Sequence, residues 1–180
     1  MFTEVSSHIR DILAKRDFSL DDAFEAHDWL ERTRNTAEYV LLLHDTDKHV
    51  ARNAAWALTK ASTTELNWFR PSLHTLIDLA IATSDSSLRR LVLNSICRMP
   101  LTKDDVRTDF LDFCLDQMAR LSTPPGIQAL CMKIAFQMCA FYPELLDELM
   151  RTVANLDLSL YKPALRCTAR AILSGKGIKR

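Results

Sequence analysis

A nine-residue pattern returns four times along this chain, at intervals of 38 or 39 residues. Its copies start at Val50, Leu88, Ile127 and Leu165. In each, the small or apolar residues fall at offsets 0, +4 and +8: Val50, Ala54, Leu58; Leu88, Val92, Ile96; Ile127, Cys131, Ala135; Leu165, Ala169, Leu173. Offsets of four trace one face of a helix. A constant period of this length marks stacked helical pairs, in which each pair buries its apolar face against its neighbours. Such an array is open, and it argues against a closed globule built around an enclosed pocket.

The repeated stretches, 49–61, 86–98, 126–140 and 161–180, are read as B helices. Each follows a second amphipathic stretch, an A helix, at roughly 36–44, 71–83, 104–121 and 143–155. Local signals agree with this division. Asn35-Thr36-Ala37-Glu38 and Thr102-Lys103-Asp104-Asp105 resemble capping boxes. Asp47 and Asp85 stand where a side-chain oxygen satisfies the free amides of a helix start. Pro124-Pro125-Gly126 breaks the chain before the third B helix, and Tyr142-Pro143 opens the fourth A helix. The first 34 residues lack the repeat. They are read as two capping helices, about 3–16 and 20–33, the second opened by Ser19. The expected organisation is a single domain over 1–180: capping helices to 34, four repeats over 35–174, and a frayed basic tail over 175–180.

Composition excludes several functions. The chain has three glycines, Gly126, Gly175 and Gly177. A phosphate-cradling loop and a dinucleotide fingerprint both need several glycines in a fixed pattern, so both are excluded. Lys plus Arg equals Asp plus Glu at 23 each, so there is no polyelectrolyte character as a whole. No apolar run reaches the 18 or more residues of a membrane span, and Met1-Phe2-Thr3-Glu4 does not open a signal peptide. The five cysteines, Cys97, Cys114, Cys131, Cys139 and Cys167, show no paired short spacing. They are read as reduced core residues of a cytoplasmic protein that has no membrane association.

Asp47-Lys48-His49-Val50-Ala51-Arg52-Asn53-Ala54-Ala55 and Asp85-Ser86-Ser87-Leu88-Arg89-Arg90 resemble the turn and B-helix start of HEAT repeats, over about residues 35–174. The resemblance implies an all-α fold, an α-α superhelix of about four helix pairs plus the N-terminal pair. It also implies that the B helices line a concave side; Arg at offset +1 (Arg89, Arg166) is often structural in that family, bonding the Asp of a neighbouring turn, and the sequence leaves open whether these two serve structure or function. Ala51 and Gln128 depart from the pattern at that offset. Ala54-Ala55-Trp56-Ala57-Leu58-Thr59-Lys60 is also similar to the peptide-reading helix of armadillo repeats in importin-α-like proteins. There, Lys60 stands where that family has Asn, and no other repeat has the Trp.

The two helix types differ electrically. The four B stretches hold twelve Lys and Arg residues and no Asp or Glu. At about 100° per residue, offsets +2, +6 and +9 point away from the core anchors. They place Arg52 and Trp56, Arg90 and Asn94, then Ala129 and Lys133 on the outer side, bordered by Lys60 and Arg98. A basic groove of this kind attracts acidic segments or nucleic-acid backbone. The expected role is a non-catalytic scaffold that binds an acidic protein or peptide segment on a basic concave face, through Arg52, Trp56, Lys60, Arg90, Asn94, Arg98 and Lys133. The alternative is a nucleic-acid-binding protein, or a DNA glycosylase of the HEAT-like alkylation-repair type, although no B helix carries a carboxylate for that chemistry. No catalytic residue, cofactor or metal site is predicted. His44-Asp45-Thr46-Asp47-Lys48-His49 spans a turn where Asp is expected as a cap, and it meets no ligand spacing. The Asp104, Asp105, Asp109, Asp112 and Asp116 series reads as a solvated helix face.

Overall fold

The computed structural model describes residues 4–175, and side-chain positions from His8 onward. Among the described residues there are eleven α-helices and no strand. They are α1 (Glu4–Leu13), α2 (Leu20–Thr33), α3 (Thr36–Leu43), α4 (Lys48–Leu58), α5 (Thr63–Trp68), α6 (Leu73–Ala82), α7 (Ser86–Arg98), α8 (Thr108–Ala119), α9 (Pro125–Cys139), α10 (Pro143–Ala154) and α11 (Pro163–Leu173). Short 3-10 turns precede α6, α8 and α11. The pairs α3/α4, α6/α7, α8/α9 and α10/α11 are the A and B helices of four repeats. Beyond Gly175, the expected basic tail lies outside the described residues. The chain forms two compact units, one ending at Met99 and one starting at Pro100.

Helix starts follow the local chemistry. The Ser19 hydroxyl accepts from the Asp22 amide while the Asp22 carboxylate accepts from the Ser19 amide, so two free donors are satisfied reciprocally. Asn35 accepts from the Glu38 amide, Asp47 from His49, and Asp85 from Ser87 and Leu88. Pro125, Pro143 and Pro163 sit in the first turn, where a missing N–H costs nothing. One boundary and one added helix differ from the sequence reading. Thr102 and Asp105 close only a 3-10 turn, and α8 starts later, at Thr108. A further helix, α5, occupies the link between the first two repeats, opened by a Ser62–Glu65 capping box. His27 anchors it: Nδ1 meets the Glu65 carboxylate at 2.8 Å and Nε2 meets the Ala57 carbonyl at 3.0 Å.

In the first unit α4 is central, packed against α1, α2, α3 and α7. Its anchors Val50, Ala54 and Leu58 are fully buried, as are Leu42, Leu43, Leu66, Phe69, Leu76 and Val92 around them. Each such Leu or Phe contributes about 1.5–3 kcal/mol over its exposed state. Tyr39 is wholly buried, lies edge-on to Phe69, and donates its hydroxyl to the Ala54 carbonyl at 3.0 Å. In the second unit α9 is enclosed by α8, α10 and α11. Nine of its residues are buried, including Ile127, Cys131, Met132 and Ala135. A helix apolar on nearly all sides belongs inside. This corrects the outward placement of Ala129, which is buried.

Polar ties run from one repeat to the next. Arg10 on α1 grips Asp45 with two hydrogen bonds, 2.7 and 3.0 Å, and Arg52 on α4 meets Asp85 at 2.6 Å. In the reverse direction, Asn53 donates to the Leu13 and Lys15 carbonyls at the end of α1, both at 2.9 Å. Arg98 on α7 donates to the Thr59 and Ala61 carbonyls at the end of α4, at 2.7 and 2.6 Å. These carbonyls lie at helix ends, where no intrahelical donor reaches them. Thus α1 is tied to the first repeat by the same kind of bonds that join α4 to α7. Within repeats, the offset +1 residue reaches the end of the preceding A helix. Arg89 donates to the carbonyls of Ala80, Ile81 and Thr83, and Gln128 donates to Arg120 at 2.9 Å.

The carboxylates in this framework are held ionised. Arg10 keeps Asp45 below the usual carboxylate range. Burial pushes Asp85 up, but the hydrogen bond from Arg52 and the amides of Leu88 and Ser87 outweigh it. Lys15 and Ser19 draw Asp22 down to about 2. Groups whose pKa is lower in the fold stabilise it above the ordinary carboxylate value and lose that contribution as pH falls. Melting temperature is therefore expected to drop between about pH 4 and about pH 2. Asp45→Asn is expected to melt lower at neutral pH and to show a shallower acid slope. An unchanged slope in that variant counts against the assignment.

Candidate functional site

The outward side of α4 and α7 collects six of the seven residues singled out in the sequence. α4 carries Arg52, Trp56 and Lys60 (Lys60 just past its end), and the neighbouring α7 carries Arg90, Asn94 and Arg98. Their states differ. The Arg52 charge is matched by Asp85, and Arg98 is tied to backbone carbonyls. Both hold successive repeats together, so charge reversal at either disturbs the fold. Arg90 is exposed and meets no acid among the described residues. Asn94, one turn further along α7, is half-buried.

Trp56 is also half-buried. Phe18, in the turn after α1, stands edge-on to it at 5.7 Å, a favourable aromatic arrangement. The Lys60 ammonium lies 4.9 Å from the Trp56 ring centre. Because Arg98 bonds the carbonyls on both sides of Lys60, two cations and an indole meet at the end of α4. Phe18 was not evident as part of this cluster. It lies outside the repeat, and only the tertiary fold brings it to Trp56. Lys133 lies on α9 of the second unit and is half-buried.

The α4/α7 face is basic because neither helix contains Asp or Glu. The carboxylates at its edge are used as caps and ion-pair partners. The His44–His49 turn behaves the same way: Asp45 serves Arg10 and Asp47 caps α4. Among the described residues, no three His, Cys, Asp or Glu side chains are grouped to hold a metal ion. A shallow cleft of about 370 Å³ lies between the α3–α4 turn and the end of α6, lined by His44, Asp45, Asp78 and Thr83. No cysteine is in a disulfide; Cys114, Cys131 and Cys139 are buried, Cys97 is half-buried and Cys167 is exposed.

Residues 16–176 match the HEAT repeat domain family. This chain belongs to that family. No curated protein and no solved structure matches it. HEAT repeats generally act as protein-interaction scaffolds. The family match begins after α1, yet α1 supplies Arg10 to the inter-repeat ties of this HEAT array. No helix among the described residues is long and apolar enough to cross a membrane. Other exposed acids stand on α1, α2, the A helices and the turns. On α8, for example, Asp109 pairs with Arg107, Asp116 pairs with Arg120, and Asp112 is open to solvent.

Proposed function

We propose that this HEAT repeat domain is a non-catalytic scaffold that holds an acidic protein segment on the outward face of α4 and α7. The observation that carries the reading is the exclusion of every carboxylate from α4 and α7, while Lys60 stands open over a half-exposed Trp56 and Arg90 is exposed on the neighbouring α7. An indole beside cations suits a segment that mixes acidic and apolar side chains. The number of open cations favours protein over nucleic acid. Arg52 and Arg98 are already engaged, and a strong phosphate-backbone binder makes roughly six to ten phosphate contacts. The setting proposed is the cytoplasm, where the five thiols stay reduced.

The test is a titration of the chain with a Glu-rich peptide containing Leu and Phe, and with duplex DNA, at about 50 and about 200 mM salt. The expected result is saturable peptide binding with a shallow salt dependence, and DNA binding that is weaker throughout. Tighter binding of DNA, with a steep slope, sinks the protein-segment reading and favours the nucleic-acid one.

A further inference from the structure

Helix α2 has two faces of opposite character. Ala23, Ala26, Trp29 and Leu30 are buried, and within the first unit α2 packs against α1 and α4. On the other side Leu20 is 47% exposed and Phe24 is 53% exposed. These two are i and i+4, so they sit one above the other on the helix. With about 100° per residue, Leu20, Phe24, Asp21, Asp28 and Glu31 all fall within an arc of about 100°. Asp21, Asp28 and Glu31 are exposed and have no cation partner among the described residues. At the rim of the arc, Arg32 is turned back onto the Asp28 carbonyl. The outcome is an apolar pair, half open to water, set among three unneutralised carboxylates.

Such a stripe discriminates by charge. It repels acidic segments, phosphate and anionic lipid headgroups, and it attracts cations. The apolar pair adds a demand that charge alone does not make: the ligand must also bring apolar side chains spaced one helical turn apart. We propose that the outward face of α2 is a docking surface for a basic amphipathic helix of a partner protein. Its apolar residues seat on Leu20 and Phe24, and its Lys or Arg residues pair with Asp21, Asp28 and Glu31. This surface is opposite in charge to the α4/α7 face, so the scaffold presents two sites that select different partners.

The experiment uses the whole chain and two synthetic helical peptides of identical Leu spacing, one with Lys and one with Glu at the polar positions. Calorimetric titration is expected to show binding of the Lys/Leu peptide to this face. Phe24→Ser is expected to weaken that binding about tenfold or more. Asp21→Asn with Asp28→Asn is expected to weaken it several-fold and to flatten its salt dependence, roughly as screening predicts. Both variants should melt with the wild type, because the altered side chains are exposed. Lys60→Glu with Arg90→Glu should leave this binding unchanged, which separates it from the face proposed above. The inference is overturned by no binding of the Lys/Leu peptide, by full affinity in Phe24→Ser, or by loss of the same binding in Lys60→Glu with Arg90→Glu. A concentration-dependent dimer of the chain that disappears in Phe24→Ser also overturns it, and assigns the face to a second copy.

Discussion

Ala54→Arg is expected to unfold the first unit or to lower its melting temperature by about 10 °C or more. Ala54 has no exposed surface and lies on α4, the helix that α1, α2, α3 and α7 surround. Its carbonyl also receives the Tyr39 hydroxyl, so the backbone there cannot move aside without breaking a buried hydrogen bond. An Arg at this point brings an unpaired guanidinium and a long stem into a packed interface. The desolvation and overpacking together cost about 3–5 kcal/mol or more, against a total stability of about 5–15 kcal/mol for a domain. The control is Asp112→Arg on the exposed side of α8, which should change stability by no more than about 0.5 kcal/mol. Thermal melts followed by circular dichroism decide the matter. An Ala54→Arg chain that melts within a degree or two of wild type shows that the phase assigned to α4 is wrong.

Ala54 and Val92 were placed in the core from sequence because periodicity reports which side of a helix faces inward. The same signal set the four helix pairs, and capping chemistry put Asp47 and Asp85 at helix starts. Periodicity says little about partners along the helix axis or across 30 or 40 residues. Arg10 and Asp45 are 35 residues apart, so the tie from α1 to the first repeat was not visible in the sequence. Arg52 looked like an open cation, but the structure gives its charge to Asp85, and Arg98 spends its donors on helix-end carbonyls. Helix α5 has six residues, too few to show a period, although its Ser62–Glu65 cap is visible in the sequence. Ala129 was misplaced because α9 is covered by three helices, and a two-sided reading of such a helix fails. The role of Arg89 was open in the sequence; in the structure it donates to backbone carbonyls of its own repeat.

The charge on the α4/α7 face is the centre of the functional account, and Lys60→Glu with Arg90→Glu addresses it with little disturbance of the fold. Both side chains are exposed, and neither makes an ion pair among the described residues. Lys60 does lie over Trp56, a contact of about 0.5–1 kcal/mol at such a site, so a small fall in stability is expected. Two reversals change the local charge by four units on a surface with no carboxylate of its own helices to soften the effect. Bound acidic groups then meet like charge in place of opposite charge, and affinity should fall about a hundredfold or more at low salt, equivalent to roughly 2.7 kcal/mol. The deciding measurement is the affinity of the Glu-rich peptide for the wild type and for this double variant, both confirmed as folded by their melts. The account predicts saturable binding by the wild type and near-complete loss in the variant. Equal affinity for the two chains contradicts it and moves the binding surface away from α4 and α7.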